Sequence, residues 1–131
     1  MKKRIIISII AIVIIFAGIG VYKVIANMDQ NLNTLTQTKI EDVDLSKISD
    51  GKYTGSYEMF PVSAEVAVTV KAHQISEIDL IKHVNGKGTA AESIPDAVVK
   101  TGSLKVDAVS GATYSSKVIL KAIENSLKQP D

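Results

Sequence analysis

Cysteine and tryptophan are absent from the 131 residues, proline occurs three times, and the aromatics amount to four tyrosines and two phenylalanines. Without cysteine there is no disulfide, no thiol catalysis, no cysteine-ligated iron–sulfur or c-type haem centre, and no lipid on an N-terminal cysteine. A small domain made from this chain must be held by its own core, helped by any cofactor it binds. One-sided charge is also missing. The formal net charge is +1, but residues 23–131 carry 12 lysines against all 14 acidic residues, a difference of −2. The basic excess therefore belongs to the N-terminal flank, and no nucleic-acid partner is expected.

What the chain does have is one long apolar run. Residues 5–22 contain no charge, and Ser8 is the only clearly polar side chain before Tyr22. As a helix the run spans about 27 Å, close to the ~30 Å apolar layer of a bilayer. Lys23 can snorkel so that Val24 and Ile25 add length, and Gly18 and Gly20 are tolerated in such a helix. Lys2, Lys3 and Arg4 precede the run, while Lys23 alone follows closely, so the bias places the N-terminus in the cytoplasm and the rest outside. A cleaved signal peptide shares this pattern. The run is long for one, and Val24-Ile25-Ala26 is a poor cleavage pattern. Either reading exports the remainder of the chain. The expected organisation is a cytoplasmic flank at 1–4, a single-pass anchor at 5–25, a stalk or linker at 26–49, and a folded domain at 50–131.

The domain reads as α+β, a small antiparallel sheet packed by C-terminal helices. Asp50-Gly51 is a turn signal, and residues 51–57 form a glycine-flanked strand. After Pro61, Ala64, Val66, Val68 and Val70 alternate with Glu65, Ala67, Thr69 and Lys71, predicting a half-buried strand. A connection at 71–74 leads to a strand over 75–82, where Ile78 and Leu80 alternate with Glu77 and Asp79. A loop at 85–89 follows. Thr89 with Glu92, or Ser93 with Asp96, can then start a short helix, and Pro95 favours the second start. Ile94, Ala97 and Val98 give it an apolar face. Finally, Val118, Ile119, Ala122, Ile123 and Leu127 predict a helix over 115–127 with Lys117, Lys121, Glu124 and Lys128 on its wet side.

The loop before that helix is rich in hydroxyls: Ser110, Thr113, Ser115 and Ser116, with Gly111 allowing close backbone approach. A phosphate is stabilised at such a helix start by free N–H groups and the positive dipole end. The plainer reading is that Ser115 or Ser116 caps the helix and Gly111 makes the turn. No side chain here is an evident general base for a serine nucleophile, and no metal centre or nicotinamide site is apparent.

The full string Asp107-Ala108-Val109-Ser110-Gly111-Ala112-Thr113-Tyr114-Ser115-Ser116 resembles the flavin-attachment motif of the FMN-binding domain family. That family includes the FMN-carrying subunits of ion-pumping NADH:quinone and ferredoxin-linked oxidoreductases. The likeness extends over about 51–127. It takes in the Gly51-Lys52-Tyr53-Thr54-Gly55 opening, a valine-rich hairpin with His83 at its end, and the lead-in Ser103-Leu104-Lys105-Val106-Asp107. The resemblance implies FMN esterified through its phosphate to Thr113 by an exported flavin transferase. It implies recognition or phosphate-loop roles for Asp107, Ser110, Gly111 and Ala112, with Tyr114, Ser115, Ser116 and His83 beside the cofactor; a satisfied surface histidine is the plain reading of His83. Tyr53 and Tyr57 can also stack on a ring, although hairpin packing is their plain reading. His73 is expected to have no cofactor role, and the 85–88 loop can border the flavin.

The function this implies is an extracytoplasmic electron carrier rather than a complete enzyme. Its partners would be a membrane dehydrogenase or quinone-linked donor and an external acceptor or partner reductase. A tethered non-redox module and a non-covalent FMN sensor are the alternatives.

Overall fold

The computed structural model describes residues 1–84, 86 and 88–128, so Asn85 and Lys87 of the expected 85–88 loop and the tail 129–131 lie outside the described residues. Helix α1 runs from Lys2 to Gln37. Its richest stretch has a mean hydropathy of 2.9 with none of it buried in the protein, so one helix is long and apolar enough to cross a membrane. At 36 residues the helix is about 54 Å long, roughly twice what the apolar layer requires. The excess is where its character changes. Beyond residue 25 an apolar seam appears at Met28, Leu32 and Leu35, and Leu35 is only 1 % exposed, inside the domain core.

The end of α1 is held by the domain. Thr38 turns extended, and its N–H donates back to the carbonyls of Thr34 and Leu35. The ammonium of Lys117 donates to the carbonyls of Leu35 (3.3 Å) and Thr36 (2.9 Å), supplying the cation that the last turn of α1 lacks. Residues 38–49 are likewise packed down: Ile40, Val43, Leu45 and Ile48 lie against the core. The carboxylate of Asp42 accepts from the Ser103 hydroxyl (2.7 Å) and the Leu104 N–H (3.0 Å). Residues before Asp50 thus pack against the folded body.

Strands β1 (Gly51–Met59), β2 (Val62–Lys71) and β3 (Gln74–Val84) form an antiparallel meander in the order β1-β2-β3. The valines of β2 face the helices as their alternation predicts, and Val66, Val68 and Val70 are fully buried. Ala67 departs from expectation. It is buried on the other face, flanked in the central strand by Thr54 and Asp79. The Lys52–Asp79 ion pair (2.7 Å) lies across that same wet face.

Two features of the sheet were not visible as periodicity. The pairing slips by one residue in β3 at Ser76 and again at Ile81. The second bulge reverses the alternation, so that His83, opposite Ala64, faces the helix side instead of solvent. The β2–β3 turn is two residues long, and Ala72 and His73 occupy it at φ +49° and +60°. Alanine disfavours that region, and histidine, though more tolerant of it, is not a usual residue of such a turn. The 45–50 segment braces both: the Asp50 carboxylate accepts from the Ala72 N–H, and His73 Nδ1 lies 3.1 and 3.2 Å from the carbonyls of Leu45 and Ile48. A carbonyl only accepts, so Nδ1 carries the proton. His73 is committed to structure.

A 3-10 turn (Thr89–Ser93) leads into α2 (Ile94–Thr101), with Ser93 and Pro95 at its start and Gly102 (φ +66°) ending it. The Ser93 hydroxyl donates to Ala90 O instead of capping α2. Helix α3 (Thr113–Leu127) crosses β1 and β2, and α2 packs on β3. The closest approach is at Gly55, where a Cβ would lie 2.4 Å from the Ser126 nitrogen and 2.5 Å from the Ala122 oxygen. Glycine is required there because the helix backbone occupies the space a side chain would need. Glu124, expected on the wet side, is 2 % exposed: its carboxylate receives Lys121 (3.0 Å), Lys128 (2.8 Å) and the Glu41 N–H (3.3 Å). Burial raises its pKa, but those three donors together outweigh it and hold the group below the usual carboxylate range.

Candidate cofactor site at the start of α3

The hydroxyl-rich loop is shorter than expected, because α3 begins at Thr113 and not at Ser115. Gly111 makes the turn at φ +80°, and the Ala112 N–H closes it on Val109 O at 2.9 Å. Ala112 occupies the cap position, so the helix has no side-chain cap and no acidic residue in its first turn. The first intrahelical bond runs from the Ser116 N–H to Ala112 O. The N–H groups of Thr113, Tyr114 and Ser115 therefore have no carbonyl within the helix to donate to.

The four hydroxyls divide into two pairs. Ser110 and Thr113 are exposed, whereas Ser115 and Ser116 are buried. Ser116 Oγ donates to Ala112 O (2.7 Å) and accepts the Val109 N–H (3.0 Å), so it staples the turn from behind. It braces the loop and does not face the opening. Tyr114 ties the same turn to the β1–β2 connection, with its hydroxyl near the carbonyls of Met59 (3.1 Å) and Phe60 (3.0 Å). Burial first, and the neighbouring Tyr57 second, raise its pKa and keep it a donor.

Thr113 opens onto a cleft of about 220 Å³ lined mainly by apolar groups. Its walls come from Pro61 of the β1–β2 connection, Val62 at the start of β2, Gly88, residues 111–115, and Met28 and Leu32 of α1. Sites for drug-sized ligands run to roughly 300–1,000 Å³, so this cleft suits one flat part of a cofactor with the remainder outside. Of the residues singled out by sequence, Gly111, Ala112, Thr113, Tyr114 and Ser115 meet here. Asp107, Ser110, Ser116 and His83 do not line the cleft. Asp107 is exposed earlier in the loop, and the His83 side chain is enclosed beside Glu92, with Nδ1 3.1 Å from its carboxylate. Met28 and Leu32 were missed, although the 28/32/35 spacing in the supposed stalk was the available signal.

A hydroxyl, three N–H groups without an acceptor in the helix, no acid in the helix's first turn and an adjoining apolar cleft together suit a ligand with an anionic phosphate and a flat apolar body. That is the chemistry of a flavin mononucleotide site on an α+β domain. The family model for the FMN-binding domain matches residues 61–128, and the chain belongs to that family. An uncharacterized protein of Treponema pallidum (strain Nichols) is 29% identical over 98 residues, 72% of this chain and 27% of that protein. The chain thus spans about a quarter of that relative's length, and the likeness is one of a module within a larger protein.

Proposed function

We propose that this protein is an extracytoplasmic electron carrier with FMN esterified through its phosphate to Thr113. The observation that carries the reading is the placing of Thr113: an exposed hydroxyl at the first residue of α3, at the mouth of the cleft and within the family's motif. Bound FMN supplies one- and two-electron redox chemistry. The chain's part is to hold and shield. In the esterification Thr113 Oγ1 attacks the flavin phosphorus of a dinucleotide (pyrophosphate) donor. The new O–P bond forms as the pyrophosphate P–O bond breaks, and a nucleoside monophosphate leaves with the hydroxyl proton lost to solvent. The adjacent N–H groups of α3 then receive the anionic charge left on the diester. Gly111 lets the turn before Thr113 form at φ +80°, a conformation in which any side chain would be strained. Tyr114, tied to the β1–β2 connection, makes one wall of the cleft rigid.

Lys2, Lys3 and Arg4 before the apolar run orient the anchor with the domain outside. An exported flavin transferase is then the maturation partner. A membrane dehydrogenase or quinone-linked donor delivers electrons, and an external acceptor or partner reductase takes them. Intact-mass measurement on protein produced with an active flavin transferase tests the reading. The expected gain is FMN minus water, located on Thr113 and absent in Thr113→Ala. An unmodified wild-type chain sinks the covalent carrier, and an adduct surviving in Thr113→Ala moves the attachment to another residue.

A further inference from the structure

One wall of the cleft comes from an element to which the family likeness gives no role. Met28 and Leu32 line it with Pro61, Val62 and Thr113, yet both belong to α1, the helix long enough to cross a membrane. They sit one turn apart on a single face, and the next turn of that face brings Leu35 into the domain core. This packing is pinned at two further points. The Asn31 amide donates to Phe60 O (3.2 Å), and Lys117 holds the carbonyls of Leu35 and Thr36. The wall is therefore fixed relative to Thr113.

Leu32 also carries an unexplained cost. It stands 42 % exposed, one of four large apolar side chains beyond residue 25 left that bare among the described residues. A lone exposed leucine is ordinary. Leu32 is not alone: it shares the lining of an apolar cleft with Met28 and with an exposed hydroxyl suited to ester formation.

We infer that α1 is part of the flavin site, with Met28 and Leu32 forming the surface on which the isoalloxazine ring of Thr113-linked FMN rests. The inference rests on the covalent-FMN reading. A thioether and a branched alkyl group suit an aromatic face, and the methionine sulfur adds polarizable contact. The same geometry sets the height of the ring. Met28 lies about 4.5 Å and Leu32 about 10 Å of helix rise beyond residue 25, and each headgroup layer is roughly 5–8 Å thick. With Met28 inside that layer and Leu32 just past it, the anchor holds the ring at the outer edge of the headgroups and does not merely tether it. The donor that fits is one whose reducing group reaches the headgroup layer.

The full chain, carrying FMN on Thr113 as verified by mass and reconstituted in phosphatidylcholine vesicles, provides the test through flavin fluorescence. Met28→Asp and Leu32→Asp should raise quenching by aqueous iodide severalfold, with the adduct mass unchanged. Asn33→Asp, on another face of the same turn, should behave as wild type. Leu32→Ala, which disturbs the helix least, should fall between. Wild-type flavin should also be quenched by vesicles containing headgroup-nitroxide lipid. Equal iodide quenching in all variants with the adduct present overturns the α1 wall and leaves the carrier reading standing. No headgroup quenching overturns the assigned height. A wild-type chain with no adduct overturns the carrier reading and this inference with it.

Discussion

The two ends of α3 treat their polar groups in opposite ways. Toward the C-terminus the polar side chains of Glu124, Asn125 and Ser126 are all used. Glu124 is enclosed by Lys121, Lys128 and the Glu41 N–H, Asn125 donates to Ser56 O, and Ser126 turns its hydroxyl onto Ile123 O, leaving a smooth surface for Gly55. At the N-terminus Thr113 is exposed and the first turn has no side-chain cap. Buried polar groups left unpaired cost roughly 1–3 kcal/mol each, so a helix end without a cap stands only where water or a ligand meets it. The contrast suggests that one end of α3 builds the domain and the other is kept for chemistry. Substitutions on either side test that division.

The largest effect should come from Gly55→Ala. The added methyl would overlap the backbone of α3 at Ser126 and Ala122, and backbone cannot rotate away as a side chain can. Overpacking costs 1–3 kcal/mol and occasionally more, and here about 3 kcal/mol is expected. For a domain of this size that corresponds to a fall in melting temperature of roughly 12–24 °C, readable by circular dichroism on the full chain in detergent. A variant that melts within a few degrees of wild type would mean that α3 slides easily on β1, and the rigid end would lose its definition.

Glu124→Gln should follow at about 2 kcal/mol, since hydrogen bonds to charged groups are worth 1.5–3 kcal/mol and the freed lysines can partly reach water. Its pH dependence is the sharper readout. The folded-state pKa of Glu124 is depressed below 4.5, so its contribution is complete above the unfolded value and is lost as pH falls through the lower folded value. The gap between wild type and Glu124→Gln in urea unfolding should be full at pH 7 and shrink below about pH 4. A constant gap would show that the carboxylate's charge is not what the pocket recognises. Asp42, also depressed because the Ser103 hydroxyl and the Leu104 and Val43 N–H groups outweigh its burial, should keep some acid sensitivity in the variant.

Glu124 also marks where sequence reading reached its limit. The valine alternation, the last helix and the three-stranded meander follow from local periodicity, and all were legible. A glutamate four residues before a lysine on a helix reads as solvent-facing, and only the arrival of residue 41 from the distant N-terminal segment encloses it. Gly55 was legible as a glycine but not as a packing constraint, because its partner lies some 70 residues away. The inward turn of His83 was hidden for a similar reason: the bulge at Ile81 is a property of strand pairing that no single strand displays. The loop before α3 was the exception. Its string is local, so the motif could be read, and Thr113 singled out as the expected attachment point, without knowing the fold. The share of α1 in the cleft, which depends on packing between distant segments, was not readable.

Ser116→Ala tests the boundary between the two regimes. Ser116 looks like part of the chemical loop by sequence, but its hydroxyl is spent on the Val109 N–H and Ala112 O. Removing it leaves a partly buried N–H unpaired, for an expected loss of about 1 kcal/mol. If Ser116 is a brace, the variant should still accept FMN once folded, at a lower rate because the turn before Thr113 is looser. Full-rate flavinylation with unchanged stability would remove Ser116 from both regimes.

Thr113→Ala should have the smallest effect on stability and the largest on function, and so it separates the two ends most cleanly. The Thr113 side chain is exposed and lies at the first helical position. Surface changes of this kind usually stay within about 0.5 kcal/mol, and alanine's better helix propensity offsets whatever packing the threonine provides. Unfolding of the cofactor-free chain should therefore be superimposable on wild type, while mass spectrometry finds no flavin adduct. Thr113→Ser should restore an acceptor hydroxyl in the same place and recover part of the adduct. If Thr113→Ala instead destabilised the domain as much as Glu124→Gln, the start of α3 would be structural after all, and its open N–H groups would need another explanation.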